Sequence, residues 1–234
     1  MYVSVLTVLA ILVLICGLGL LIPALTPTQI PGRMACSNNL KQIGIALHNY
    51  HAVYRSLPPA YTVDEYGNRL HSWRTLILPF IEQQAIYETI DLSKPWNDPA
   101  NLAAFETAIS TYACPSDANT PDDPRETTYL AVINPSGAMP GSTPTSFREI
   151  TDGLATTLVI VEIPGKDAVH WMSPHDVESE VFINGKRPTI HSHGFNVMMC
   201  DGGVYLHKHD FDGLLYDKMI TKDSGETIAE EEIR

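Results

Sequence analysis

Apolar and polar positions divide this chain into regimes of different period. From Met1 to Leu25 no side chain is charged and nearly every position is apolar. As a helix, Tyr2–Leu25 would extend roughly 36 Å at about 1.5 Å per residue, enough for a hydrocarbon core of about 30 Å. A helix apolar on every face has lipid as its natural solvent, so residues 1–25 are expected to be a transmembrane anchor. Thr26 to Gly32, with Pro27, Pro31 and Gly32, would end that helix as a linker. A cleaved secretory leader is the competing reading. Leaders of that kind open on basic residues and carry about 7–15 apolar positions; here no Lys or Arg precedes Arg33.

Beyond the linker the period becomes that of an amphipathic helix. Leu40, Ile43, Leu47, Tyr50 and Tyr54 recur three or four apart, which predicts a helix over Ser37–Tyr54, capped by Ser37 and ended before Pro58-Pro59. His71 to Ile90, around Trp73, Leu76, Ile77, Phe80, Ile81 and Ile86 and interrupted at Pro79, predicts a second helical region. Asn101 to Ser110 predicts a short third helix, and 115–127 a surface loop. Strand patterns follow at Thr128–Ile133 and Thr156–Glu162. Two hairpins are expected: Val181–Ile183 with Arg187–Ile190 around Asn184-Gly185, and His193–Cys200 with Val204–His209 around Asp201-Gly202. Helices first and strands later predict an α+β fold: an N-terminal transmembrane helix, then helices packed on an antiparallel sheet, in one domain over residues 33–234.

Charge and cysteines narrow the setting. All 15 Lys+Arg and 27 Asp+Glu follow the anchor, so the net charge of −12 belongs to the body and disfavours nucleic acid or anionic headgroups as partners. Of the four cysteines, Cys16 falls mid-anchor. Cys36 opens the first soluble helix and Cys114 precedes Pro115 in a loop, a pair suited to a disulfide in an extracytoplasmic domain. No C-x-x-C pair suggests a zinc or thioredoxin-type site.

Candidate chemistry concentrates at the last hairpin, where His191, His193, Asp201, His207, His209 and Asp210 crowd together. Histidines two apart on a strand share a face, so each pair could offer two metal ligands. Register decides whether the pairs converge. A two-residue Asp201-Gly202 turn puts Phe195, Val197, Met199, Val204 and Leu206 on one face and sends the histidine pairs to opposite faces. A three-residue turn through Gly203 gathers the histidines but scatters the apolar set. Burial of those five side chains, roughly 1.5–3 kcal/mol each, selects the two-residue register. Asp201 then serves the turn. No G-x-S-x-G elbow, phosphate loop, H-E-x-x-H or EF-hand loop is present; Asp117, Asp122 and Asp123 are a weak calcium candidate. No catalytic, metal or cofactor residue is expected.

Five blocks, in order, carry a resemblance: Cys36-Ser-Asn-Asn-Leu-Lys-Gln-Ile-Gly-Ile-Ala-Leu-His-Asn-Tyr-His51; Ser72-Trp-Arg-Thr-Leu-Ile-Leu-Pro-Phe-Ile-Glu82; Cys114-Pro-Ser-Asp117; Asp152-Gly-Leu-Ala-Thr-Thr-Leu-Val159; and His191 followed after nine residues by Asp201-Gly202. Together they resemble the planctomycete-type pilin-like family with the H-x9-DG motif, domain of unknown function 1559, also labelled a bacterial solute-binding type. That resemblance implies a single-pass membrane protein with a pilin-like head, related to type II secretion pseudopilins, and a motif of His191, Asp201 and Gly202. Residues 1–10 carry neither the glycine-led leader nor the helix glutamate of those pilins, and Thr26–Gly32 replaces their charged helical continuation.

Three functions follow. The first is a non-catalytic anchored surface protein, held in membrane lipid by residues 1–25, whose partners are other pilin-like subunits or envelope components. The second is an extracytoplasmic solute- or glycan-binding module using Trp73, Trp96 and Trp171 as stacking platforms. The third, an anchored metal-dependent hydrolase, rests on the histidine hairpin alone.

Overall fold

The structure, a computed structural model, describes residues 32–116, 121–185, 190–191, 194–208, 211–225 and 227–233. The anchor expected at 1–25, Cys16 and all of the linker but Gly32 lie outside the described residues. Residues 32–234 form a compact unit of their own. Among the described residues no helix is long and apolar enough to cross a membrane.

Helix α1 runs Gly32–Tyr54, so Gly32 opens a helix instead of closing a linker. Its stripe buries Cys36, Leu40, Ile43, Ala46 and Leu47, while Lys41, Gln42, Ile45 and Asn49 face outward. Arg55 ends it in the left-handed region at φ 65°. A small hairpin of β1 (Tyr61–Val63) and β2 (Arg69–Ser72) follows. The helical region expected over His71–Ile90 is a strand end followed by three short pieces: α2 (Trp73–Leu76), a 3₁₀ turn at Leu78–Ile81 and α3 (Gln84–Tyr87). Two features break it. Pro79 sits at the start of the 3₁₀ turn, and Glu82 adopts φ 63°. The third helix shrinks to α4 (Leu102–Phe105), preceded by a 3₁₀ turn at Pro99–Asn101 and followed by another at Ser110–Tyr112.

The strands then come in sequence: β3 (Glu126–Thr127), β4 (Tyr129–Ile133), β5 (Leu158–Glu162), β6 (Val169–His170) and β7 (Val177–Glu178). They are followed by α5 (Ser179–Asn184), β8 (Phe195–Met199), β9 (Val204–His207), α6 (Gly213–Ile220) and α7 (Glu230–Ile233). The five-stranded sheet has order β7-β4-β5-β8-β9. It is mixed, not wholly antiparallel, because the two-residue edge strand β7 runs parallel to β4. The fold is α+β.

Two hairpin expectations are corrected. Val181–Ile183 lie in α5, not in a strand, and Asn184-Gly185 ends that helix. Helical spacing wins here because it buries Phe182 against Phe195 and Tyr216 while Val181 points outward. Ile190 is in no strand, and residues 186–189 lie outside the described residues. At the second hairpin the partners are Phe195↔His207, Val197↔Tyr205 and Met198↔Val204, one residue away from the expected register. Val204 therefore shares a face with Met198, not with Val197.

The reason is that both faces of this sheet are covered. Strands β4, β5 and β8 are buried at every position. Tyr129, Ala131, Ile160 and Met198 pack with α1 in one core. Leu130, Val132, Val161, Phe195, Val197 and Met199 pack with Phe182, Tyr216, Met219 and Ile233 of α5, α6 and α7 in the other. With two cores to fill, collecting the apolar residues on one face loses its force in choosing a register.

Candidate functional site

On the α1 face, four different segments bring polar and sulfur-bearing groups together inside the core. Cys36 of α1 and Cys114, just beyond the Ser110–Tyr112 turn, are disulfide-bonded with Cα atoms 5.0 Å apart. Glu162 ends β5, and His191 bridges back to Gly194 just before β8. His191 Nε2 lies 2.9 Å from Glu162 Oε2. The same carboxylate oxygen accepts from Asn196 Nδ2 at 2.7 Å and from the Asn196 backbone N–H at 3.3 Å. Both side chains are buried, Glu162 wholly. Burying a carboxylate is costly unless donors surround it, and these partners meet that cost. The sulfurs of Cys36 and Cys114, a Glu162 oxygen and a His191 nitrogen all lie within 4.8 Å of one another. In the oxidised chain the sulfurs are spent on each other.

A second buried ionic centre lies under β4. Arg74 and Asp176 form an ion pair at 2.7 Å, both side chains fully buried. The Arg74 guanidinium also donates to the carbonyls of Tyr129, Trp171, Ser173 and His175. Asp176 Oδ1 further accepts from Trp73 Nε1 at 3.2 Å and Ala131 N–H at 2.8 Å. Burial pushes the Asp176 carboxyl up, and the Arg74 charge beside it pulls the other way. This cluster joins α2, β4 and the 171–176 segment; it binds the fold together.

The residues of the expected motif occupy separate places. His191 sits in the core, whereas Asp201-Gly202 forms the β8–β9 turn, where Asp201 Oδ1 accepts the Gly203 N–H at 2.7 Å. Gly202 takes φ 85°, a conformation that favours glycine. The turn lies against α1: a Cβ on Gly44 would stand 3.1 Å from Gly202 Cα, and His48 Nε2 is 2.9 Å from the Cys200 carbonyl. A shallow cleft of about 470 Å³ opens here between α1 and the turn, with Lys41, His48 and Asp201 on its walls. Another cleft, about 420 Å³, lies beside β4 and α5, lined by Leu130, Val177 and Phe182 with Asp167 and Glu178.

Histidine convergence does not occur among the described residues. His207 is in the other core, with Nδ1 2.8 Å from Tyr216 Oη and Nε2 2.9 Å from the Ile233 carbonyl, so it acts as a structural tie. His193, His209 and Asp210 lie outside the described residues. Trp73 and Trp171 are wholly buried, which removes them as stacking platforms; Trp96 packs on Phe105 and His170. Asp123 is engaged by Arg125 through both carboxylate oxygens, and Asp117 lies outside the described residues.

Sequence reasoning missed Glu162, Asn196 and Arg74; Asp176, which it offers with Trp171 and Pro174 as a pocket-lining residue, does line the cleft beside β4 and α5. Glu162 at the end of an otherwise apolar strand was the available signal for a polar core centre. A family model described as "Protein of unknown function (DUF1559)", SBP_bac_10, matches residues 33–184, which stops short of His191. No curated protein and no solved structure matches the chain.

Proposed function

The chain belongs to the DUF1559 family of proteins of unknown function, and on that premise we propose that it is a non-catalytic, membrane-anchored surface protein of pilin-like build. Residues 1–25 hold it in lipid, and the α+β body stands outside the cytoplasm, presenting itself to pilin-like subunits or other components of secretion or envelope assembly. The observation that carries this reading is α1. It follows in sequence on an uncharged apolar stretch, packs one face on the sheet, and leaves Met34 and Ile45 more than half exposed on the opposite side, with Val53 and Tyr54 exposed at its C-terminal end. Exposed large apolar side chains along the outward side and at the end of this helix fit a lateral protein partner. The Cys36–Cys114 bridge suits an oxidising compartment. A photo-crosslinker placed at Ile45 of the full-length protein in native membranes should give discrete higher-mass adducts. Recovery of uncrosslinked monomer alone contradicts the reading.

A second reading, capture of a small solute, draws support from the cleft of about 420 Å³ rather than from the tryptophans. Its apolar floor and acidic rim suit a ligand with a cationic group. A thermal shift with a series of amphipathic amines, absent for neutral sugars, is its expected signature.

A further inference from the structure

We propose that, before its disulfide forms, this chain binds one zinc-class divalent cation through Cys36, Cys114, Glu162 and His191, and that oxidation of the two thiols ejects the metal. Four protein donors in mutual reach are what a closed structural zinc site requires. Here the donor atoms already lie within 4.8 Å of one another, and all four residues are buried. Ligand bonds of about 2.0–2.3 Å in a tetrahedron put donors roughly 3.3–3.8 Å apart. The sulfurs would therefore separate by roughly 1.7 Å from their bonded distance. Glu162 and His191, now 2.9 Å apart, would open by less than that.

Ligand chemistry selects the ion. Two thiolates with an imidazole and a carboxylate suit zinc, whereas magnesium and calcium prefer oxygen donors. Two thiolates and one carboxylate around a doubly charged cation leave one net negative charge. The Asn196 Nδ2 and N–H donors already aimed at Glu162 Oε2 answer that charge and orient the carboxylate.

The four ligands come from α1, the segment after Ser110–Tyr112, β5 and the approach to β8. Metal and disulfide are thus alternative clamps on one junction: both tie α1 to the segment after Ser110–Tyr112, and the metal would also tie them to β5 and the approach to β8. A newly made chain has both thiols reduced, so zinc can staple the core before export or oxidation. Binding releases the two thiol protons. Handover then needs a disulfide donor: the Cys36–Cys114 S–S bond forms, the donor's S–S bond breaks, takes two electrons from the two thiolates and two protons from solvent to leave as two thiols, and the zinc ion leaves.

The test uses full-length protein in mild detergent, reduced with a non-chelating phosphine under anaerobic conditions and titrated with cobalt. One cobalt per chain should bind with thiolate charge-transfer absorption and tetrahedral d–d bands, and zinc should displace it. The bridged chain should show neither band. Asn196→Ala should keep the spectrum and weaken affinity about 10–100-fold, and Glu162→Gln should shift the d–d bands. Adding a disulfide donor should release the metal with formation of the bridge. Cobalt bound without thiolate absorption, equal binding by the bridged chain, or metal retained after re-oxidation overturns the proposal. So does a reduced chain whose circular dichroism stays that of an unfolded protein with equimolar zinc.

Discussion

Replacing Asp176 tests the reasoning about the buried Arg74 centre most sharply. In Asp176→Ala the Arg74 guanidinium, fully buried, loses its only charged partner named in the cluster and keeps four carbonyl acceptors. Breaking a buried pair from one side costs about 3–5 kcal/mol, because the other charge is left uncompensated. Trp73 Nε1–H and Ala131 N–H lose their acceptor as well, and each orphaned donor adds about 1 kcal/mol or more. The carbonyls around Arg74 soften the first term, so a total of about 4–6 kcal/mol is expected, against about 5–15 kcal/mol for a whole domain. Asp176→Asn keeps an oxygen for the two donors and should lose about 3 kcal/mol. Urea unfolding followed by tryptophan fluorescence is the assay, since Trp73 and Trp171 are buried beside the pair. An Arg74→Met, Asp176→Ala cycle should return a coupling of about 2 kcal/mol or more. A loss below about 1 kcal/mol for Asp176→Ala, or strict additivity in the cycle, refutes this account of the centre.

Other outcomes follow from single features. The bridge spans 78 positions, so Cys36→Ser in oxidised, metal-free protein should lower stability by about 4 kcal/mol, read from the urea midpoint. His51, His71 and His170 are all held below the usual 6.5, chiefly by burial. Below that value the unfolded chain binds more protons than the folded one, so unfolding free energy should fall as pH drops through 6.5 and stay flat above it where these groups govern. Urea midpoints that rise on acidification from about pH 7 to about pH 5.5 contradict that sign. Gly202→Ala forces a side chain into φ 85° and should cost about 1–2 kcal/mol without abolishing folding; a stabilised variant argues against the turn geometry.

Much of the α1 face was legible from spacing alone: Leu40, Ile43 and Leu47 are buried, whereas Tyr54, the last member of the stripe, is exposed beyond the sheet. Strands β4 and β5 were legible as continuous apolar runs. Their continuity also signalled burial on both faces, and ignoring it produced the wrong hairpin register. Asn184-Gly185 misled because the local turn signal was outweighed by packing of Phe182 on Tyr216. The polar centres were not legible, since each pairs groups far apart in sequence: Glu162 with His191, Arg74 with Asp176. Of the motif, Asp201-Gly202 reads correctly as a turn, but the task of His191 depends on a carboxylate one strand away.

The anchored surface-protein reading depends on residues 1–25 residing in lipid. The direct measurement is alkaline carbonate extraction of native membranes, with the full-length chain compared against a variant lacking residues 2–25. Full-length protein should stay in the pellet and the shortened chain should be released. Full-length protein recovered in the supernatant, with Met1–Leu25 confirmed by mass, contradicts the account.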